Sequence, residues 1–356
     1  METYVQNWNV SNSTEELTST REVICDIRRL ATDLHLIILI ELRKLVTDYD
    51  MYFIIPFCFI GNSLAVLGSL PKARKSSAYL YLAVLACSEA SYLSRKRIAW
   101  VRYFGMRRTD LYCQINFYTL VVQYYFHAYI VVILTIERSI AVTMPLRAAT
   151  LLTMKRGVVT LSCGLVFCAI APIDNLYLIH NPEVGFCVYD FSKKPGVLDA
   201  IYTKDNILLV YLPFAILTIC NTIIIISIAK SAKSRKQMGE TRGQLDSQIT
   251  KDRQITNICL VVSFMFLLLN APRYIFISFK EKILVKRGWE YRRTCEEAMF
   301  LQFFWYFTNF LININACVNG YLYCLSSASF RADVKISIFR IGNALKKCFM
   351  KRSASN

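Results

Sequence analysis

Seven blocks of about 20 mostly apolar residues, separated by short stretches rich in Lys and Arg, leave this chain few folds to choose from. They fall at residues 51–70, 77–103, 110–139, 156–176, 206–229, 255–279 and 298–325. A helix needs about that length to cross roughly 30 Å of hydrocarbon. Lipid offers no partner to an exposed peptide group, so such runs must be helical there. The expectation is an all-α membrane protein, a seven-transmembrane helix bundle over 51–325. An extracellular N-terminal segment, 1–50, precedes it, and a short amphipathic eighth helix with a cytoplasmic tail, 326–356, follows. In that last stretch Phe330, Val334, Ile338 and Ile341 recur at helical spacing, flanked by Arg331, Lys335 and Arg340, as in a helix lying in the interface plane.

The chain is 55% hydrophobic, against about 45–50% for a soluble domain. Its formal charge of +17 would suggest nucleic acid in a soluble protein. Here the cations lie between apolar blocks, where phospholipid headgroups would be, so lipid is the expected partner and nucleic acid is set aside. The first 20 residues are polar and lack an apolar core, so the first span is expected to serve as the insertion signal. Residues 34–45 are too short to span and carry Glu41, Arg43 and Lys44; they read as an amphipathic outer helix or an extension of the first span.

Seven spans put the two termini on opposite sides. Lys and Arg divide evenly between the sides and do not orient the chain. Asn9-Val10-Ser11 and Asn12-Ser13-Thr14 are its glycosylation acceptors, and both favour an outer N-terminus. Of 13 cysteines, eight fall within spans and Cys348 in the tail. Cys25, Cys113, Cys187 and Cys295 all fall on the outer side, an even number suited to two disulfides. Cys113 with Cys187 is the first pairing expected and Cys25 with Cys295 the second; the alternative is free thiols.

An ordered set of local patterns resembles the rhodopsin-like G-protein-coupled receptors. They are Gly61-Asn62 in the first span and Leu82-Ala83-Val84 with Glu89, for the usual Asp, in the second. The third runs from Cys113 to Glu137-Arg138-Ser139, similar to Asp/Glu-Arg-Tyr with Ser for Tyr. Pro213 lies in the fifth, and Phe266 with Leu269-Asn270-Ala271-Pro272 in the sixth resembles Cys-Trp-x-Pro. Asn319-Gly320-Tyr321-Leu322-Tyr323 in the seventh resembles Asn-Pro-x-x-Tyr with Gly for Pro. The match covers 51–340 and looks most similar to invertebrate neuropeptide receptors, including the FMRFamide-receptor-like group. Asn270 for the toggle Trp, Gly320 for Pro, and Cys163 at the usual Trp of the fourth span imply that helix motion uses other side chains here, with Phe266 as the bulky mover.

An ionisable residue in a span is a functional candidate by default, because its charge is costly to bury. The resemblance implies a latch: Arg138 held by Glu137 and by Asp252, with Tyr323 nearby, and released to meet a G protein. Asp252 lies 20 residues before Pro272, about 30 Å along a helix, which puts it level with Arg138. The alternative is an Arg that snorkels without a partner. The resemblance also implies a sodium pocket at Glu89 with Asn62, Asn270, Asn315 and Asn319, but His127 replaces a small hydroxyl residue there. A Glu89–His127 pair, replacing sodium with an internal cation, is one expectation; a neutral hydrogen-bonded His127 is the other. The outer half should hold the ligand, against Leu120, Val121 and Tyr124 of the third span, Arg97 and Arg102 near the second, Arg273 of the sixth, and Trp305 and Asn309 of the seventh. Cations so deep imply a ligand with an acidic or carbonyl-rich end, met by Arg273 and one of Arg97 or Arg102, unless they only snorkel to headgroups.

Leu120 stands where amine receptors place Asp, and no Lys lies between Cys295 and Arg331 for an opsin's Schiff base. Repeated halves, the mark of many transporters, are not visible. The three histidines, His35, His127 and His180, are too scattered to suggest metal or enzyme chemistry, so no cofactor is expected. The loop 230–253 carries seven cations against three acids and suits the inner leaflet or the acidic face of a G protein. The expected function is a plasma-membrane receptor that passes binding of a neuropeptide to a heterotrimeric G protein. The alternatives are a chemosensory receptor for a small ligand and a receptor-like protein that binds without coupling. If His127 replaces the ion, agonist affinity should ignore sodium and respond to pH between about 6 and 7. A strong sodium effect that His127→Ser leaves unchanged would reject the pair.

Overall fold

The computed structural model describes residues 53–96, 109–181, 186–189, 197–237, 245–287 and 295–353. The expectations at Asn9, Asn12, Cys25, Arg97 and Arg102, and the helix at 34–45, lie outside them, as do the side chains of Cys187, Asp252, Cys295 and Cys348. Each expected span is helical over its described residues: α1 Ile55–Ala73, α2 Ser77–Lys96, α3 Asp110–Thr143, and, after a short α4 at Pro145–Leu151, α5 Met154–Ile170. The fifth is α6 Val197–Asn206 continued by α7 Leu212–Gln237, the sixth is α8 Leu245–Arg287, and the seventh is α9 Cys295–Ser326. A terminal α10, Ala328–Ser353, follows. Among the described residues, four stretches are long and apolar enough to cross a membrane on length and composition alone: Asp110–Thr143, Met154–Tyr177, Thr203–Ser231 and Arg253–Phe276.

Prolines set several of the boundaries. Pro172 closes the fourth span, which tightens into a 3₁₀ turn at Ile173–Tyr177. The fifth carries a wide π turn at Ile207–Tyr211, just before Pro213, whose ring crowds the carbonyl four residues back. A feature the helical pattern does not signal is a two-stranded antiparallel hairpin, β1 Leu178–Asn181 with β2 Phe186–Tyr189, in the loop between the fourth and fifth spans. His180 pairs with Cys187 in its register.

One compact unit comprises Tyr52–Tyr274 and Leu311–Asn356, and Ile275–Phe310 belongs to another. In the first unit α3 is the hub, packed against α2, α5, α7 and β1. Its Ile130, Val131 and Leu134 are fully buried with Leu82 and Leu85 of α2, Leu217 of α7, Ile258 of α8 and Tyr323 of α9. A helix apolar on every side is a buried one. By contrast, α5 exposes Val158, Val159, Leu165, Phe167 and Ile170, a face that suits lipid. Between helices in lipid, close packing and interhelical hydrogen bonds hold the structure, since no water is expelled. In the other unit Phe276 stacks on Phe304, their centroids 6.1 Å apart, and Phe303 stacks on Phe307.

The eighth helix differs from expectation. It runs for 26 residues rather than being short, and its stripe splits. Phe330 and Val334 are buried, whereas Ile338 and Ile341 are 53% and 49% exposed. The first turns dock on α1, where the Phe330 ring covers Gly68, Lys72 Nζ meets Asp333 Oδ2 at 2.5 Å, and Ser337 Oγ donates to the Leu67 carbonyl at 2.7 Å.

A polar cluster joins α3, the end of the fourth span and the fifth. The buried Tyr125 hydroxyl donates to Asp205 Oδ1 at 2.5 Å, and Lys204 Nζ lies 3.3 Å from the same oxygen. Lys204 also pairs with Asp174 and donates to the Ala171 carbonyl at 2.8 Å. Tyr125→Phe should therefore lower stability by about 1.5–3 kcal/mol, the range for a hydrogen bond to a charged partner. A thermal melt in detergent checks this, and an unchanged midpoint would show that the bond contributes nothing.

Candidate functional site

Glu89 is fully buried on α2. Its Oε1 accepts from Asn319 Nδ2 of α9 at 2.5 Å and lies 3.1 Å from His127 Nε2 of α3. The histidine contact is close enough for an ion pair but is not aligned as a hydrogen bond. Three helices thus meet at one carboxyl group. The other members of the predicted polar set are buried too, with different bonds. Asn62 Nδ2 donates to the Ala316 carbonyl at 2.9 Å, tying α1 to α9. Asn270 Nδ2 donates to the carbonyl of Phe266 in its own helix, and Asn315 is buried on α9. Glu89 Oε2, Asn62 Oδ1 and Asn319 Oδ1 are buried without a hydrogen bond. Among the described residues no cluster of His, Cys, Asp and Glu could hold a metal ion.

Directly beside this core lies a cleft lined by Ser88, Tyr92, Gln123, Tyr124, His127, Phe266, Asn270 and Tyr274, with Ile312 and Ala316 of α9. The hydroxyls of Tyr92 and Tyr124 are 3.1 Å apart. Arg273 sits within electrostatic reach of Tyr124, Tyr92 and Tyr274. Of the residues expected to meet a ligand, Tyr124 and Arg273 therefore come together. Leu120 packs beside them against a cluster containing Tyr92 and Leu93, and Val121 is half-buried on the same helix. Trp305 and Asn309 belong to the other unit, where Asn309 Nδ2 donates to the Trp305 carbonyl at 2.7 Å. Phe266 lies between His127, 5.9 Å away by centroid, and Phe214, 6.4 Å away.

At the inner end of α3 Arg138 meets Glu137, one of the two partners expected for it, and the Asp252 side chain lies outside the described residues. Arg138 is buried, with its Nη2 3.9 Å from Glu137 Oε2. Yet Glu137 is held chiefly from α2: Ser77 Oγ and Tyr81 OH each donate to its carboxylate at 2.7 Å. Those bonds are shorter and better directed than the arginine contact, so α2 rather than Arg138 fixes the glutamate. Tyr323 is buried, with its ring edge-on to Phe330 at 5.4 Å. Outside the membrane core, Cys113 is buried and disulfide-bonded. The described free cysteines are Cys58, Cys87, Cys163, Cys168, Cys220, Cys259, Cys317 and Cys324, the same eight that the sequence puts within spans.

Sequence reasoning missed Tyr92, Gln123 and Tyr274 in the cleft and Ser77 and Tyr81 at Glu137. Helical spacing could have found the first two. Tyr92 lies three residues after Glu89 and Gln123 four before His127, each on the same face as the residue already chosen. Nothing local marks Ser77 or Tyr81, because their meeting with Glu137 depends on how α2 registers against α3.

The model of the family described as 7 transmembrane receptor (rhodopsin family) matches residues 61–323. Human (Homo sapiens) G-protein coupled receptor 183 is 23% identical over 294 residues, covering 80% of this chain and 78% of that protein. Human cysteinyl leukotriene receptor 1 is 22% identical over 311 residues, covering 83% and 84%. The type-1 angiotensin II receptor B of Rattus norvegicus is 23% identical over 296 residues, covering 80% and 77%.

The Glu89 contact makes a direct prediction. Glu89→Ala leaves the buried Asn319 amide without its acceptor and should cost about 1–3 kcal/mol. Glu89→Gln keeps the shape and a carbonyl acceptor, so it should cost less. Thermal unfolding of the two variants in detergent tests the order, and equal midpoints would refute it.

Proposed function

Since this chain belongs to the 7 transmembrane receptor (rhodopsin) family, and is thus a multi-pass cell-surface G-protein-coupled receptor of the plasma membrane, we propose that its ligand is a neuropeptide with an acidic or carbonyl-rich end. The family is one of receptors rather than enzymes; an extracellular ligand and a heterotrimeric G protein are its partners. One relative is named for angiotensin II and another for cysteinyl leukotriene, so these likenesses do not choose between ligands. The observation that carries the proposal is the cleft itself. Its wall holds Tyr92, Tyr124, Tyr274 and His127, with Arg273 beside them, and His127 in turn contacts Glu89. A carboxylate or backbone carbonyl would find a guanidinium and phenol donors there. Arg97, Arg102, Trp305 and Asn309 remain the further ligand contacts that the sequence suggests.

In this reading the N-terminal segment 1–50 is outside and glycosylated at Asn9 and Asn12, and 326–356 is cytoplasmic. Cys113 pairs with Cys187; the bonded state of Cys113 and the packing of β1, the partner strand of Cys187, on α3 support this. Cys25 with Cys295 is the second bridge. His127 is the internal cation of the polar core, which its contact with Glu89 supports. Signalling frees Arg138 from Asp252, while Ser77 and Tyr81 keep Glu137 on α2. A small chemosensory ligand is the second reading, favoured by how narrow a cleft the aromatic side chains leave.

A peptide-library screen in cells expressing the chain, read by calcium and cyclic AMP with Arg138→Ala as control, tests this. A peptide agonist should emerge whose half-maximal concentration rises about tenfold or more in Arg273→Gln, the loss of one charge-assisted contact. Response to small molecules alone would favour the second reading. Ligand binding without any second-messenger response would point to a receptor that does not couple.

A further inference from the structure

We infer that Gly61 and Gly320 weld α1 to the inner half of α9, and that these helices move with α10 as one body when the receptor signals. The weld stands on the packing alone; its role in signalling rests on the receptor reading above. A Cβ added at Gly320 would overlap the Gly61 carbonyl oxygen and sit 2.9 Å from the Ala65 nitrogen. A Cβ at Gly61 would meet the Cys317 carbonyl, with the Tyr321 ring at 2.7 Å. Neither position admits any side chain while the helices keep this separation, so the two backbones are in direct contact.

Bonds on both sides of the glycines hold that approach. The Ala316 carbonyl accepts from Asn62 Nδ2 at 2.9 Å and from Cys58 Sγ at 3.4 Å. Tyr321 donates from its hydroxyl to the Phe57 carbonyl at 2.9 Å, and its ring stacks on Phe57 with centroids 4.3 Å apart. One turn further in, α10 grips the same helix through Phe330 on Gly68, Lys72 with Asp333, Lys72 with Ser329 at 2.9 Å, and Ser337 with the Leu67 carbonyl.

This gives Gly320 a reason to stand where the resemblance has Pro. Proline would carry a Cβ into Gly61 and remove the N–H that a continuous helix uses. With glycine, α9 runs unbroken from Cys295 to Ser326. It therefore lacks a built-in bend at 320. Asn319 of the same helix stays on Glu89 through its own hydrogen bond, and α8, which is outside the weld, serves as the reference element.

Distances between genetically encoded spin labels, measured by double electron–electron resonance on the full chain in nanodiscs, test this. Leu70 of α1, Leu325 at the end of α9 and Arg253 of α8 are exposed and accept labels. The Leu70–Leu325 distribution should be narrow and single-peaked, and should stay so when nucleotide-free heterotrimeric G protein is added. Gly320→Ala should broaden it. Should that variant fail to fold, Tyr321→Phe, which keeps the ring stack and loses the bond to Phe57, should broaden it less. A two-peaked wild-type distribution, a shift of it on adding G protein, or an unchanged distribution in the variant that folds would overturn the weld. The Leu70–Arg253 pair reports on the receptor reading separately: it should shift with G protein, and its failure to move would count against coupling while the variant arms still decide the weld.

Discussion

Inside hydrocarbon a carboxyl group can turn only to the protein around it, and Glu89 organises the molecule for that reason. Removing it from water costs several kcal/mol unless hydrogen bonds and an opposite charge compensate. Its described partners come from two other helices, a hydrogen bond from Asn319 of α9 and a close contact with His127 of α3. One carboxyl group is thus the point at which three helices meet. The cleft follows from the same arrangement, because His127 belongs both to its wall and to the core beneath it.

Away from that centre, the helices are held by two different means. Around α3 the contacts are side chain to side chain, with buried Ile130, Val131 and Leu134 meeting leucines and isoleucines of α2, α7 and α8. Such packing is non-directional and tolerates small shifts. Along α1 the contacts are backbone to backbone at Gly61 and Gly320, with hydrogen bonds onto main-chain carbonyls. Those have a set geometry and resist sliding. One side of the structure is thus built to adjust and the other to stay.

The departures from the family pattern fit this division. Asn270, in place of a toggle Trp, turns its amide onto the Phe266 carbonyl of its own helix, and Phe266 occupies the space between His127 and Phe214. The aromatic bulk here is supplied one turn earlier on α8. Ser139, in place of Tyr, is buried on α3, while Tyr81 of α2 supplies the phenol that Glu137 uses.

Much of this was legible without coordinates. Hydrocarbon thickness and the need to pair every peptide group turn seven apolar runs into seven helices, whatever their neighbours are. The polar residues inside those runs, Glu89, His127, Asn270 and Asn319, stood out because burial makes them expensive. Element ends were less legible: the π turn before Pro213 and the length of α10 depend on local backbone competition and on docking to α1. Which polar groups meet was decided by tertiary structure alone. Sequence spacing specifies the face of a helix, and it says nothing about rotation or depth relative to another helix. That is why Ser77 and Tyr81 were invisible as partners of Glu137, and why Gly320 read as a missing proline. Its purpose exists only where the backbone of α1 comes within van der Waals contact.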